Sequence, residues 1–295
     1  MTAPLGARCA VLLAHPGHEL VIHELVARSR PLVAILTDGS GSTGISRIDS
    51  TTRILDAAQA RPSAFYGSFT DAQCYAALLA HDADFFIGIA EQVADMLVAS
   101  RIETVAGDAS EGWNPIHDIW RSVVDTAVQL AAHRLGRAIR NFEFPLFTAH
   151  AAAAATCSGE AIVVQLDQAA YERKIASSEA YQELHAEVAA AIKGTTSSIV
   201  ASPALSAELD RRLGGLNGES YRVELLRPVR AMAASARSSE PRVYELYGEM
   251  MVAAGRYREA IRHDRHLAPI EAVLRRHVLH ETGSGACASS STAMI

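Results

Sequence analysis

The apolar positions in the first half of the chain fall into short continuous runs separated by stretches of helical spacing. Residues 8–14 (RCAVLLA) and 31–37 (PLVAILT) have the character of strands buried on both faces, and the second ends at the turn signal Asp38-Gly39-Ser40-Gly41. Between them, over residues 19–29, Leu20, Leu25 and Val26 recur at helical spacing. Residues 50–60 predict a helix capped by Ser50 or Thr51, with Ile54, Leu55 and Ala58 on its apolar face. Residues 78–100 predict one long helix and residues 103–107 a short strand. Residues 117–135 predict a helix with Val123, Val124, Ala127 and Leu130 on one side. This β-α-β-α order predicts an α/β fold, Rossmann-like, in which a mostly parallel sheet carries helices on both faces.

The second half has a different texture. Residues 160–166 and 221–226 are strand-like, residues 168–193 form a long helical pattern, and residues 241–254 and 257–277 are helical. Residues 195–201 turn from polar to β-branched, as a linker or a short strand would. The alanine-rich run 149–155 around His150 carries no assignment. The small, polar residues 282–295 predict a disordered tail, and no repeat of fixed period is visible. Residues 1–281 are therefore expected to form a single α/β domain, with its core motifs over 8–150 and a C-terminal α+β extension over 160–281.

Composition narrows the function classes. A chain that is 49% hydrophobic and 20% charged is too apolar to be disordered. A net charge of −6 without any Lys/Arg block speaks against a nucleic-acid surface. No apolar run reaches the roughly 18 residues of a membrane span, and the N-terminal run is too short for a signal peptide. The four cysteines, Cys9, Cys74, Cys157 and Cys287, include no C-x-x-C pair and suit a reducing cytosol. The expected setting is the cytoplasm and the expected partner a small-molecule substrate, with neither nucleic acid nor membrane. A homo-oligomer stays open.

Candidate chemistry gathers in the loops that follow three strands, where open α/β sheets bind their ligands. Residues 14–19 hold His15 and His18, residues 37–41 hold Asp38, and residues 108–118 hold Glu111, Trp113, Asn114, His117 and Asp118. Two histidines three apart on a strand-to-helix turn, joined by a third from another loop, make three protein ligands and leave a position open, as in catalytic zinc sites. A single loop histidine more often caps a helix or bonds backbone. The recurrence of His-Pro-x-His-Glu and Asn-Pro-x-His-Asp at two strand ends shifts the balance toward metal. Glu19, Asp118, Asp38 and Glu111 are candidate proton carriers, each with a plainer reading as a first-turn charge or a turn former. Trp113 is a candidate pocket wall and Arg53 a candidate anion contact. His263-x-x-His266 and His277-x-x-His280 are expected to be surface helix residues. No G-x-S-x-G elbow or phosphate-loop spacing is present.

His15-Pro16-Gly17-His18-Glu19 after an apolar strand resembles the His-Pro-Asp-Asp-Glu signature of the PIG-L/LmbE-like N-acetylglucosaminyl deacetylases. Asn114-Pro115-Ile116-His117 resembles that family's His-Pro-Asp-His motif, Thr37-Asp38-Gly39 its Thr-x-Gly turn, and Arg53-x-x-Asp56 its Arg-x-x-Glu. The resemblance covers residues 8–150, and Lys174 and residues 221–227 continue it more weakly. It implies a metal, usually zinc, held at the positions of His15, His18 and His117, though the same set would take another divalent transition metal. It implies hydrolysis of an amide or N-acyl group on a small, sugar-like or secondary-metabolite substrate. Two departures stand out. Gly17 occupies the position of the family's general base, and Asn114 that of an oxyanion-stabilising histidine. Asn114 can still donate a hydrogen bond to an oxyanion, and Glu19 or Asp118 would then handle protons. The alternatives are a non-hydrolytic metalloenzyme (lyase, isomerase or redox) on the same three histidines, or a catalytically degenerate binding protein.

Overall fold

A computed structural model describes residues 3–41, 43–148, 150, 153–154, 157, 160–184, 218–229 and 241–283. The two apolar runs of the N-terminal segment form β1 (Cys9–Leu13) and β2 (Leu32–Thr37), parallel neighbours with Ala10 opposite Leu32 and Leu13 opposite Ile35. On the other side of β1 lies β4 (Thr104–Asp108), which places Leu12 opposite Gly107. Parallel pairing continues to β3 (Arg61–Phe69) beyond β2 and to β5 (Arg140–Phe144) beyond β4. The last two strands, β6 (Ile162–Gln165) and β7 (Val223–Pro228), join by antiparallel pairing. Among the described residues the strand order is β3-β2-β1-β4-β5-β7-β6. The fold is α/β with a mostly parallel sheet.

A strand buried on both faces sends alternate side chains into two cores, which is why its sequence is uniformly apolar. In β1 and just beyond it, Ala10, Leu12 and Ala14 enter one core, while Cys9, Val11 and Leu13 enter the other. The first core is closed by α3 (Asp71–Leu79), α4 (Ala83–Ala99), α5 (Pro115–Leu135) and α8 (Ala268–Gly283). The second is closed by α1 (His23–Ser29), α2 (Ile48–Ala57) and α6 (Gln168–Glu179). A further helix, α7 (Val243–Ala253), packs Val243 against Trp113.

Several expectations are corrected. Residues 78–100 are not one helix, because the chain turns through His81 at φ 54 and Asp82 then caps α4 by accepting the Phe85 N–H at 3.0 Å. Neither Ser50 nor Thr51 caps α2, which begins at Ile48 and buries both hydroxyl residues within it. The segment 19–29 splits into a 3-10 turn, His18–Leu20, followed by α1. The sequence pattern assigns neither β3 nor β5. β3 contains Pro62 and Gly67 and is largely exposed at an edge, while β5 (RNFEF) is polar at alternate positions, so neither shows a buried-strand run. The helical stretch 168–193 ends as α6 at Glu179, followed by a 3-10 turn, Gln182–Leu184, and the rest of it lies outside the described residues, as does 195–201. In 257–277 the helical geometry begins only at the π-turn His263–Leu267 and continues as α8. Thr282 and Gly283 belong to α8 and not to the tail, whose other residues lie outside the description. No helix among the described residues is long and apolar enough to cross a membrane.

Candidate metal centre

Two chain segments bring the three histidines together. The first is the turn after β1, where Gly17 adopts φ 104 and a Cβ at that position would lie 2.5 Å from Leu184 Cδ1. The positive φ favours glycine, while Leu184 would have to swing aside for a side chain there, and the turn sends His15 and His18 to the same side. The second is the start of α5. Asn114 caps that helix by accepting the Ile116 N–H at 2.8 Å, Pro115 sets its first residue, and His117 falls in the first turn. Because β1 and β4 are adjacent and parallel, both segments leave the sheet at the same edge. The ring centroids stand 4.6 Å apart for His18–His117, 4.8 Å for His15–His117 and 5.4 Å for His15–His18.

Two carboxylates stand behind these rings. His15 Nδ1 lies 3.0 Å from Asp71 Oδ1 and 2.7 Å from Thr37 Oγ1. His18 Nδ1 lies 2.8 Å from Asp108 Oδ2, which also accepts the Ala14 N–H at 2.7 Å. His15 Nε2 is buried without a hydrogen-bond partner, as is Asp108 Oδ1. Burial holds His15 below the ordinary imidazole range, against the opposing pull of Asp71. Burial, with the neighbouring His18 and His15, holds His117 well below it. Asp71 is drawn down to about 2: burial pushes it upward, but His15 and the Gly41 N–H outweigh that. His15 and His117 are thereby held neutral, the state a metal ligand requires.

The carboxylates named from sequence are otherwise engaged. Glu19 is buried and accepts the Gly17 N–H at 2.8 Å and the Thr51 hydroxyl at 2.7 Å, bracing the histidine turn from within. Burial raises its pKa despite these bonds. Asp118 accepts the Glu111 and Gly112 N–H groups at 3.1 Å each through Oδ1, and pairs with Arg242 at 2.5 Å through Oδ2. Burial raises Asp118 too, with Arg242 opposing. Glu111 accepts the Leu146 and Phe147 N–H groups and the Thr148 hydroxyl. Asp38 forms a turn with the Ser40 N–H at 2.9 Å, and Arg53 is exposed, donating to Ser50 at 2.8 Å. Trp113 stacks on Phe147 at 4.7 Å, and Phe147 lies parallel to His117 at 6.3 Å, so an aromatic wall flanks the third histidine.

Elsewhere, His266 departs from the surface reading: it is fully buried and stacked on His81 at 5.1 Å. His263 lies 3.4 Å from Glu271, His277 lies 2.6 Å from Glu91, and His280 is exposed. Asp71 and Asp108 were not singled out from sequence. The usable signal for Asp108 is a carboxylate ending the otherwise apolar strand β4, because a buried carboxylate needs a partner. Asp71 gives no comparable signal, since an acidic residue opening a helix is ordinary.

The donors suit a divalent transition metal in kind. His15 Nε2 is an orphaned buried nitrogen, burial holds His15 and His117 neutral, and carboxylates beside His15 and His18 are of the kind the outer layer of such sites uses. As they stand, no three or more His, Cys, Asp or Glu among the described residues form a group that could hold a metal ion. The histidines are a gathered donor set and not a closed cage.

No family model and no curated protein matches the chain. Among solved structures it is similar to the zinc-inhibited form of teicoplanin deacetylase Orf2, at TM-score 0.47 and 13% identity over 77% of this chain and 100% of that one. It is similar to a deacetylase–bog complex in the biosynthesis pathway of teicoplanin, at 0.47 and 14% over 78% and 100%. It is also similar to the conserved protein TT1542 from Thermus thermophilus, at 0.43 and 16% over 79% and 100%. Likeness at these values says nothing about the chemistry of this chain.

Proposed function

We propose that this protein is a metal-dependent hydrolase of the PIG-L/LmbE-like type, acting on an amide or N-acyl group of a small molecule. The observation that carries the reading is the gathering of His15, His18 and His117 within 5.4 Å of one another at the edge of the sheet, two of them backed by carboxylates. These three side chains would hold the ion, zinc or another divalent transition metal. When bound, such an ion supplies a Lewis acid for a carbonyl and makes water reactive near neutral pH. Asn114, whose Oδ1 is committed to capping α5, keeps its amide N–H donors for a developing oxyanion. The Trp113–Phe147 stack would wall one side of the substrate and exclude water from it.

Metal analysis of purified protein tests this directly. The expected result is about one transition-metal ion per chain, lost in His15→Ala and in His117→Ala. Metal content unchanged by all three histidine substitutions would overturn it.

A second reading is favoured by one observation. Leu184 fills the space a side chain at position 17 would need, and both oxygens of Glu19, Asp118 and Glu111 are occupied. With Glu19, Asp118 and Glu111 so engaged, a non-hydrolytic reaction such as that of a lyase or isomerase is the second reading. Stoichiometric metal together with no turnover across a panel of N-acetyl substrates would select it.

A further inference from the structure

We propose that residues Tyr181–Leu184 form a strap that covers the turn carrying His15 and His18 and swings away from the end of α6 to open it. Calling the histidines a functional site rests on the reading above, but the motion of the strap does not. Its test and the metal analysis can therefore fail separately.

The histidine cluster is nearly closed. The His15 and His18 side chains are 11% and 16% exposed, His117 is buried, and His15 Nε2 is shut off without a partner. A molecule that is to reach the three rings needs a covering segment to move. The strands and helix that carry the rings are poorly suited to that, because β1 and β4 lie in the middle of the sheet and α5 in its core.

The segment after α6 is held differently. Tyr181 is buried, and its hydroxyl lies 3.0 Å from Thr51 Oγ1 and donates to the Arg47 carbonyl at 3.2 Å. Thr51 donates to Glu19 at 2.7 Å and accepts the Gly17 N–H at 3.1 Å, so Tyr181 closes over the network that braces the turn. Leu184 takes the space beside Gly17. Exposed Glu183 latches the segment to α2 by accepting the Ser50 hydroxyl at 2.7 and 2.9 Å.

All of these holds are made by side chains. Among the described residues, the Tyr181 and Leu184 N–H groups bond only to the end of α6 and within the strap, to the Ser178 and Tyr181 carbonyls at 3.3 and 3.2 Å. The buried Lys174–Glu224 pair pins α6 itself, which confines the motion to the residues beyond it. An element attached by a few side chains opens at a much lower free energy than a central strand, which would lose a row of backbone bonds. Opening breaks the Glu183–Ser50 latch and lifts Leu184 off Gly17, baring the turn between His15 and His18. The bare position 17 is what lets the strap close this tightly, since a side chain there would meet Leu184.

Hydrogen–deuterium exchange with mass spectrometry on the full chain tests this in wild type, Ser50→Ala and Leu184→Ala. Ser50→Ala removes the latch without removing apolar packing. Residues 181–184 are expected to exchange faster than α6 in every protein. In both variants residues 15–20 are expected to exchange about tenfold faster than in wild type, the scale of one lost hydrogen bond to a charged group, while β4 and α5 keep their protection. Unchanged exchange over 15–20 in either variant would overturn the proposal. So would acceleration spread equally over β4 and α5, which marks a loss of global stability. Ser50→Ala decides alone if Leu184→Ala does not fold.

Discussion

Gly17 shows how much one residue can settle at this site. Its φ of 104 is strained for any other amino acid, and its missing Cβ leaves room for Leu184. Gly17→Ala is expected to cost about 1–3 kcal/mol of stability, measurable by urea denaturation. Adding Leu184→Ala should recover only part of that, because the dihedral penalty stays. Full recovery would mean that packing alone demands the glycine. Gly17→Asp would for the same reason disturb the turn carrying His15 and His18. The three histidines were legible because they stand in two short motifs at strand ends. Their carboxylate partners were not, because Asp71 and Asp108 lie far from them in sequence and meet them only through strand order.

At the scale of elements, a buried ion pair governs how α6, β7 and α1 fit together. Lys174 on α6 pairs with Glu224 on β7 at 2.9 Å, and both side chains are at most 2% exposed. Lys174 also donates to the Val21 carbonyl at 2.6 Å, while Glu224 accepts the Glu24 and Leu25 N–H groups at the start of α1. Lys174→Met strands a charge and is expected to cost about 3–5 kcal/mol in chemical denaturation. The double variant Lys174→Met/Glu224→Gln should lose less than the sum of the single losses. Strict additivity would deny the coupling. A second junction, Asp118–Arg242, joins the start of α5 to the start of α7, reinforced by the Val243 N–H on the Gly112 carbonyl at 2.8 Å. The helical pattern of residues 241–254 predicted α7 but could not predict what it docks against.

For the molecule as a whole, buried histidines outside the His15–His18–His117 cluster predict an acid-sensitive fold. Burial holds His23 at about 4, with Lys174 adding to the effect, and burial holds His150 at about 4 as well. His150 Nδ1 accepts the Leu225 N–H at 2.9 Å, a bond that protonation would break. Both pKa values lie below the ordinary 6.5, so the native state keeps these rings neutral while the unfolded chain takes up protons. Their contribution is complete above about pH 6.5 and is lost as pH falls toward about 4. The loss is about 3 kcal/mol for each ring at most. Urea midpoints should fall between about pH 7 and about pH 4.5 accordingly, and His23→Gln should flatten the slope. A pH-independent midpoint would contradict this account.

The sequence by itself determined the fold class and the metal candidates. Strands covered on both faces must be apolar throughout, and a motif of a few residues keeps its shape wherever a strand ends. β3 and β5 escaped because an edge strand and a half-exposed one lack that continuous run. The helix break at His81 escaped because apolar spacing carries across a single residue in the left-handed region. Which carboxylates stand behind the histidines, which are spent on loops, and why position 17 must be bare were decided by tertiary structure alone. The carboxylates behind the histidines and the Leu184 contact depend on segments far apart in the chain meeting within hydrogen-bonding or contact distance, and local pattern does not encode such meetings.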